Sequence, residues 1–455
     1  MSPPLVALAL AGFWTQAACR PAVEPEPGPE DALFVEFTDQ ERGRIAGLTG
    51  LGAPPASLSN AVADDPDAAA LGQWLYFDTR LSGNGEVACA TCHDPEQGFG
   101  DGERLAEGVG TTDRHAPTVW NVAYQRWFFW DGRCDTLWCQ ASGPLEAPGE
   151  HGGDRLQFAH IVNTDAELRD AYEAIFGALP ELDDADRFPA RGRPVPDDPE
   201  DPLDVAWSGM DEADQHDVSL VFSNLTKAIA AYERLLITGP SPFDVFAEGL
   251  VEGDAEKLAA LNEAEQTGLK LFINDNPANP FNTEVIEHPG AECYACHGGP
   301  ELSDLEFHNV GLGPRDWLTW EDLGRYEGAQ SVLENPFNGM GEFSDAPDAA
   351  ENDKLVYLRQ PDGTELGQFK TSTLRNVALH PPYMHGGHMD SLRDVVDFYA
   401  DLGEPPVLSH RDEQLFPLDH LTDSDRDDLA VFLEALTGAL PDQALLSAPD
   451  SPFSH

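Results

Sequence analysis

The chain has 455 residues, of which 82 are Asp or Glu and 26 are Lys or Arg, and its formal net charge is −56. This length is more than one hydrophobic core usually serves, so we expect two domains with extensions. The acidic balance argues against a nucleic-acid partner, because phosphate contacts need clustered Lys and Arg; it favours cationic partners or reflects a saline habitat.

The N-terminal residues 1–19 resemble an export signal. Residues 5–14 form an apolar run that is too short to span a bilayer, and Ala17, Ala18 and Cys19 follow it. Cys19 resembles a lipoprotein cleavage position, although the start carries no Lys or Arg and Gln16 stands where such signals favour an aliphatic residue. We therefore predict export to the periplasm. A lipid anchor at Cys19 stays open as the one membrane attachment, and residues 20–36 form an acidic, Pro-rich tether.

A first folded unit is predicted over residues 37–239. Large apolar residues at helical spacing indicate a helix over 71–77, and a turn then leads to the run Cys89-Ala90-Thr91-Cys92-His93. This Cys-x-x-Cys-His pattern attaches a c-type haem, whose porphyrin binds both thiols covalently and whose iron takes the imidazole as a ligand. The loop 94–113 contains no His. Residues 183–215 are predicted to be a surface excursion, and an amphipathic helix over 220–236 closes the unit.

The second unit, residues 240–440, repeats the attachment pattern as Cys293-Tyr294-Ala295-Cys296-His297. Zinc modules pair their Cys motifs within roughly 12–20 residues, whereas these two motifs are far apart, so two haems are the favoured interpretation. Helices are predicted over 258–272, 391–399 and 424–440, residues 324–358 are predicted to be irregular, and 441–455 is a tail. The predicted fold is mostly α, with two cytochrome c-like haem domains in tandem and long irregular loops.

A second motif also occurs in both halves. Thr118-x-x-Asn121-Val122-Ala123 recurs as Thr373-x-x-Asn376-Val377-Ala378, and the same offset aligns Trp130 with His385 and Leu137 with Leu392. This indicates a duplicated haem-binding unit. The offset places Tyr399 opposite Pro144. A phenolate can ligate ferric iron and proline cannot, so Tyr399 is either a second ligand of the C-terminal haem or a core aromatic residue.

Taken together, the motifs identify a family. The chain resembles the bacterial dihaem cytochrome c peroxidase superfamily, which includes the MauG enzymes, over roughly residues 60–440. The resemblance is carried by Arg80-Leu81-Ser82-Gly83-Asn84-Gly85, both haem motifs, Arg114-x-Ala116-Pro117-Thr118, Trp130-Asp131-Gly132-Arg133, Phe369-Lys370-Thr371, Thr373-Leu374-Arg375-Asn376 and Pro382-Tyr383-Met384-His385.

The resemblance implies a division of labour between the haems. The haem at His93 is the peroxidatic centre, with Glu150 as general acid–base and Gln140 positioning peroxide or water. Trp130 relays electrons from the haem at His297. The alternative without a catalytic role is that Glu150 is one surface acid among many, Gln140 is a helix-surface residue and Trp130 is a core aromatic residue.

The chain departs from the family pattern at several positions. The loop 94–113 lacks the histidine that blocks the iron in peroxidases needing prior reduction. Tyr399 replaces a methionine ligand, which looks like the MauG branch, with Met384 and Met389 as rival ligands. The family tends to bind calcium between its domains, partly through an Asn; here that position holds His115, read as structural or propionate-facing, and imidazole is a poor calcium ligand.

Cys134 and Cys139 lie outside the family pattern. They could pair in an oxidising compartment. Residues five apart on a regular helix are too distant for a disulfide, so pairing requires a distorted first turn. Both outcomes stay open.

Three functional hypotheses follow. The leading one is a dihaem peroxidase that reduces hydrogen peroxide with electrons from a small cytochrome or cupredoxin. The second is a MauG-like enzyme that uses peroxide-derived high-valent iron to oxidise a partner protein through surface tryptophans such as Trp317 or Trp320. The third is a non-enzymatic electron-transfer cytochrome.

Overall fold

The computed structural model describes residues 33–282, 286–312, 322–358, 361–403 and 408–453. Cys19, Trp317 and Trp320 lie outside these ranges. Within them, the α-helices are α1 (Asp39–Gly47), α2 (Pro66–Phe77), α3 (Cys89–Cys92), α4 (Leu137–Glu146), α5 (Arg155–Thr164), α6 (Ala166–Phe176), α7 (Pro202–Ser208), α8 (Glu212–Glu233), α9 (Pro242–Glu252), α10 (Ala255–Leu258), α11 (Glu263–Ile273), α12 (Arg325–Glu334), α13 (Asp353–Val356), α14 (Leu392–Asp401) and α15 (Asp423–Glu434).

Strands are scarce in the same ranges. A two-stranded antiparallel sheet joins β1 (Phe307–His308) to β2 (Phe369–Lys370), with Phe307 opposite Lys370. The predicted mostly-α fold class is therefore confirmed. No helix in the described part of the chain combines the length and apolar character needed to cross a bilayer.

Two hydrophobic cores organise the helices. The first is built mainly from α2, α4, α5, α6 and α8, and the second from α1, α9, α11, α14 and α15. Helix α8 is buried on almost every face from Val218 to Glu233, because α2, α4 and α5 pack around it. It is thus a central helix of the first core, longer at its start and buried on more faces than the amphipathic helix predicted over 220–236.

Each core contains one helix crossing that requires glycine. A Cβ on Gly72 of α2 would lie 1.9 Å from the carbonyl oxygen of Ala228 in α8. A Cβ on Gly268 of α11 would lie 2.0 Å from the carbonyl oxygen of Asp428 in α15. The two backbones can approach this closely only where no side chain intervenes. Both crossings involve the helix that precedes a haem motif.

The substitution Gly72→Ala is expected to lower the free energy of unfolding by about 3 kcal/mol, because the added methyl group meets backbone atoms that cannot rotate away. Urea denaturation followed by circular dichroism measures the effect. Gly43→Ala is the control: Gly43 lies in α1, is exposed and has no heavy atom within 4 Å of its Cβ position, so this variant should be stabilised by up to about 1 kcal/mol. Equal effects in the two variants would contradict the packing explanation.

The structure corrects parts of three segment predictions. Residues 183–215 include α7 and place Phe188 and Trp207 in the first core. The helix predicted over 258–272 is replaced by α10 and α11, because Asn262 and Glu265 form a capping box that starts a new helix. Residues 324–358 contain α12 and α13.

The internal duplication is visible in the backbone. Helices α4 and α14 occupy equivalent positions of the two repeats, with Thr136 and Ser391 as their N-caps. Asn121 and Asn376 both adopt left-handed backbone conformations, with φ of 58° and 63°. Their side-chain amides donate hydrogen bonds of 3.0 and 3.1 Å to one shared acceptor, the hydroxyl oxygen of Thr238. The two repeats therefore meet at Thr238.

Candidate functional site

The first Cys-x-x-Cys-His motif forms the one-turn helix α3 and the residue that ends it. Cys89 and Cys92 are free thiols. The Nδ1–H group of His93 donates to the carbonyl oxygen of Phe99, 3.2 Å away, which leaves Nε2 as the nitrogen available to a metal. Burial lowers the pKa of His93, which favours the neutral imidazole that binds iron.

The second motif repeats this arrangement. Cys293 and Cys296 are free thiols, and the Nδ1–H group of His297 donates to the carbonyl oxygen of Leu302 at 3.0 Å. Phe99 and Leu302 are both left-handed, with φ of 58° and 51°. A backbone carbonyl on Nδ1 is the usual device that fixes the tautomer of a metal-binding histidine. Both motifs thus fit a c-type haem.

A largely apolar cavity opens beside the second motif. Its wall includes His297, Tyr399, Met384, Trp130 and Lys370. Burial and the nearby thiols of Cys296 and Cys293 raise the pKa of Tyr399. Met384 also lines the cavity, whereas Met389 packs against the second hydrophobic core. Tyr399 and Met384 are therefore the sequence-predicted ligands that face this space.

Trp130 lies where the two units meet. Its indole Nε1–H donates to the carbonyl oxygen of His115 at 2.8 Å, and its ring centre lies 6.5 Å from that of His385. The preceding residue, Phe129, also lines the cavity of the second motif, and its ring lies 3.3 Å from a Cβ built on Gly143 in α4. The Phe129–Trp130 run therefore connects that cavity to the helix that carries Gln140.

The predicted residues of the peroxidatic side occupy α4 and the loop after it. Gln140, Gly143 and Pro144 share one face of α4, and none of the three is fully buried. The carbonyl oxygen of Pro144 accepts a hydrogen bond from the backbone N–H of His151 at 3.1 Å. This bond ties the helix to the segment that carries Glu150.

Glu150 has the environment of a proton-transfer group. Burial raises its pKa above the ordinary value, and the guanidinium of Arg133 opposes that shift. The carboxylate in turn raises the pKa of Cys89 and Cys92, which places it close to the haem attachment. Glu150 is thus a half-buried acid close to the first motif.

The histidine-free loop 94–113 holds the backbone of Glu150. The carbonyl oxygen of Glu150 accepts a hydrogen bond from Val109 N–H at 2.7 Å. A Cβ on Gly108 would lie 2.4 Å from the same oxygen. The glycines of this loop therefore allow a close approach to the segment that carries the acid.

The structure pairs Cys134 with Cys139 in a disulfide, with 5.6 Å between their Cα atoms. Pairing is possible because Cys134 precedes α4, so the two residues do not lie on one regular helix. Cys139 is the third residue of α4, the position that Asp394 fills in α14, where it forms a capping box with Ser391. The disulfide thus replaces the capping box at the start of the helix that carries Gln140.

Sequence reasoning missed two buried ionisable residues near the first motif. His151 is 4% exposed, and its Nδ1–H donates to the carbonyl oxygen of Leu81 at 2.8 Å. Glu233, at the end of α8, is 4% exposed, its Oε2 has no partner, and burial raises its pKa to about 8. Their high burial is the one feature that distinguishes these two residues from other polar residues. A single sequence does not show which isolated polar residues are buried.

The residues present do not fit the calcium ion that the family resemblance implies. His115 is buried, and its Nδ1–H donates to the carbonyl oxygen of Glu103 at 2.8 Å, so it offers an imidazole where an amide oxygen is expected. Among the described residues, the one cluster of three metal-ligating side chains is Cys296, Asp304 and His308. Its sulfur and imidazole donors suit a hard cation poorly.

Comparisons with known proteins agree with this geometry. Residues 66–252 match the family model described as di-haem cytochrome c peroxidase. The chain is 30% identical over 391 residues to the cytochrome-c peroxidase IdrP1 of Denitromonas iodatirespirans, covering 83% of this chain and 84% of that protein.

The chain belongs to the dihaem cytochrome c peroxidase superfamily.

Another relative is the methylamine utilization protein MauG of Methylophilus methylotrophus, 30% identical over 388 residues that cover 84% of this chain and 86% of that protein. The fold resembles that of the diheme peroxidase BthA from Burkholderia thailandensis E264, with a TM-score of 0.56 and 22% identity over 89% of this chain and 94% of that one. A MauG-like protein associated with microbial copper homeostasis gives the same TM-score at 24% identity, over 89% of this chain and 96% of that one. The chain is therefore an oxidoreductase of the peroxidase type, from a family whose cofactors are haems.

Proposed function

We propose that this enzyme reduces hydrogen peroxide at a haem bound covalently to Cys89, Cys92 and His93, with electrons supplied by a second haem at Cys293, Cys296 and His297. The proposal rests on a difference between α4 and α14, the helices at equivalent positions of the two repeats. Helix α14 presents Tyr399 to the cavity of the second motif, whereas α4 has Pro144 at the matching position. Helix α4 therefore offers no side-chain donor at this position, and a haem held by the first motif would keep a coordination position for peroxide near Glu150.

The bound haem would supply an iron that takes up peroxide and the redox equivalents that cleave its O–O bond. Glu150 would accept a proton from the peroxide oxygen nearer the iron and return it to the outer oxygen, which leaves as water. A carboxyl group with a raised pKa suits both steps, because it gains and loses a proton close to neutral pH. Gln140 would hold the peroxide by hydrogen bonding from the exposed face of α4.

Two reducing equivalents and two protons complete the conversion of one peroxide to two waters. We assign entry of the electrons to the second haem and their passage to Trp130, whose indole lines the cavity of that haem. A small cytochrome or a cupredoxin would donate them in the periplasm. The net charge of −56 favours a donor with a cationic surface.

Steady-state assays test this proposal. The purified dihaem protein is mixed with hydrogen peroxide and a reduced small cytochrome c, and we expect two cytochromes to be oxidised per peroxide. The double variant Cys89→Ser/Cys92→Ser should retain one covalent haem and lose turnover. Turnover in that variant would reassign the reaction to the other haem, and absence of both turnover and any Soret change in the wild type would reject the proposal.

A second candidate function is the MauG-like oxidation of a partner protein. It is favoured by Tyr399 at the second haem cavity, in place of the methionine that the peroxidase branch carries, and by the MauG relatives. A Soret response to peroxide without oxidation of any small cytochrome would support it. The non-enzymatic alternative is not supported, because the relatives are enzymes.

A further inference from the structure

One cation in the cavity of the second motif has no negatively charged partner among the described residues. Lys370 of β2 lines this cavity, and its ammonium donates a hydrogen bond to Oε1 of Gln125, a neutral amide. Its backbone N–H donates to the carbonyl oxygen of Trp130 at 2.8 Å. The Phe369-Lys370-Thr371 motif thus contains a charge that the proposed reaction does not use.

Three of the other four lysines of the chain form ion pairs with a carboxylate: Lys227 with Asp345 at 2.9 Å, Lys257 with Glu252 at 2.7 Å and Lys270 with Glu41 at 3.6 Å. The ammonium of Lys354 donates to the backbone carbonyl oxygens of Arg126 and Asp135, and the charge of the Asp135 carboxylate acts on it. Such pairing is expected in a chain with 82 acidic residues. Lys370 is therefore the exception, and local sequence composition does not explain it.

Two cations near Lys370 are neutralised by the protein itself. His308 lies between two carboxylates, and Arg114 is bound by two others. The contacts are His308 to Asp304 at 2.8 Å and to Asp412 at 2.6 Å, and Arg114 to Asp131 at 2.6 Å and to Asp322 at 2.7 Å. The fold thus supplies counter-charges around this cavity and omits one at Lys370.

An unpaired ammonium in this position is costly. Taking a charge out of water without a counter-ion costs several kcal/mol, so such groups either find an anion or lose their proton. Burial alone lowers the pKa of Lys370 to about 7. A carboxylate placed in the cavity would remove this penalty and keep the lysine charged.

We propose that Lys370 is the counter-ion of a propionate carboxylate of the second haem. The proposal rests on the proposed function only for the presence of that haem. The ammonium holds the haem by charge and stabilises its reduced state, because a nearby cation favours the less positive iron. Through its backbone bond to Trp130, the same residue joins the haem periphery to the assigned electron relay.

Redox titration of the second haem tests the role of Lys370. The variant Lys370→Met should lower the midpoint potential of the second haem and leave that of the first unchanged, and Lys370→Arg should restore the wild-type value. Lys227→Met is the control, because Lys227 is a buried lysine that pairs with Asp345 in the protein. It should change stability without changing either potential.

The possible failures are distinguishable. Two haems per chain with an unchanged potential in Lys370→Met would overturn the counter-ion proposal and leave the peroxidase proposal intact. One haem per wild-type chain would overturn the proposed function. A wild-type potential that changes when chloride replaces sulfate at constant ionic strength would assign Lys370 to a free anion and reject the propionate. Lys370→Gln repeats the test if the Met variant does not fold.

Discussion

Replacing Glu150 with Gln is expected to lower peroxide turnover by about 10²–10⁴-fold while both haems stay bound. The amide preserves the size of the side chain but cannot accept the proton from one peroxide oxygen and return it to the other. Because the substitution removes the proton acceptor and leaves the shape of the site unchanged, haem content and the resting spectrum should match the wild type. Stopped-flow absorbance after mixing with peroxide separates the cleavage step from later electron transfer.

The pH dependence provides a sharper test of the same residue. Glu150 acts as a base only when ionised, so wild-type turnover should fall as pH decreases through its raised pKa. This acid limb should disappear in Glu150→Gln. Removing the guanidinium in Arg133→Gln should shift the limb to higher pH, because Arg133 is the charge that lowers the pKa of Glu150.

Two further variants serve as controls for Glu150. Glu150→Asp keeps a carboxyl group and should recover part of the turnover. Glu167→Gln alters an exposed acid on α6 and should have no effect on turnover. A Glu150→Gln enzyme with wild-type turnover and an unaltered acid limb would show that another group, such as the buried His151, moves the proton.

The parts of the site that were predictable from sequence are those fixed by covalent chemistry or by repetition. The two cysteines and the histidine that attach a c-type haem lie close together in the chain, so both motifs can be recognised from the sequence. The duplication placed Tyr399 opposite Pro144, and the structure gives α4 and α14 matching bounds. The same offset aligns Phe129 with Met384, both left-handed residues that a sequence pattern does not indicate.

The parts that were not predictable depend on contacts between distant segments. Helix α12 contains Gly328, a poor helix former, yet it is required there, because a Cβ would lie 2.1 Å from the carbonyl oxygen of Asp131. Arg325 of the same helix donates to the carbonyl oxygens of Asp131 and Gly132. Tertiary contacts thus form a helix in a segment whose local composition indicated none.

The burial of single charged residues is hidden for the same reason. In a chain with so many acids, Glu150, Glu233 and Asp135 look alike, and only the structure separates them from solvated carboxylates. Lys370 was visible as part of a family motif, but only the folded structure shows that none of the described carboxylates pairs with it.

Tyr399→Met is expected to raise the midpoint potential of the second haem by hundreds of millivolts, within the roughly 0.8 V that axial ligands span. A phenolate stabilises ferric iron, whereas a thioether favours the ferrous state. The second haem of the variant should therefore hold its electron more tightly. Peroxide reduction should be slower, because the second haem supplies electrons to the first. Redox titration and the ferric absorption spectrum measure the two consequences independently.

The comparison with Tyr399→Phe separates ligation from packing. Phe keeps the aromatic ring against the cavity wall but removes the oxygen, so the second haem should change its ferric spectrum without losing its covalent attachment. If neither variant alters spectrum or potential, Tyr399 is a core aromatic residue. Met384, which lines the same cavity, is then the residue to test, and Met384→Leu should abolish the ligation that Tyr399 failed to explain. In either case the open position that we propose at the first haem depends on Pro144, because Pro144 offers no side-chain donor at the position of α4 that matches Tyr399 in α14.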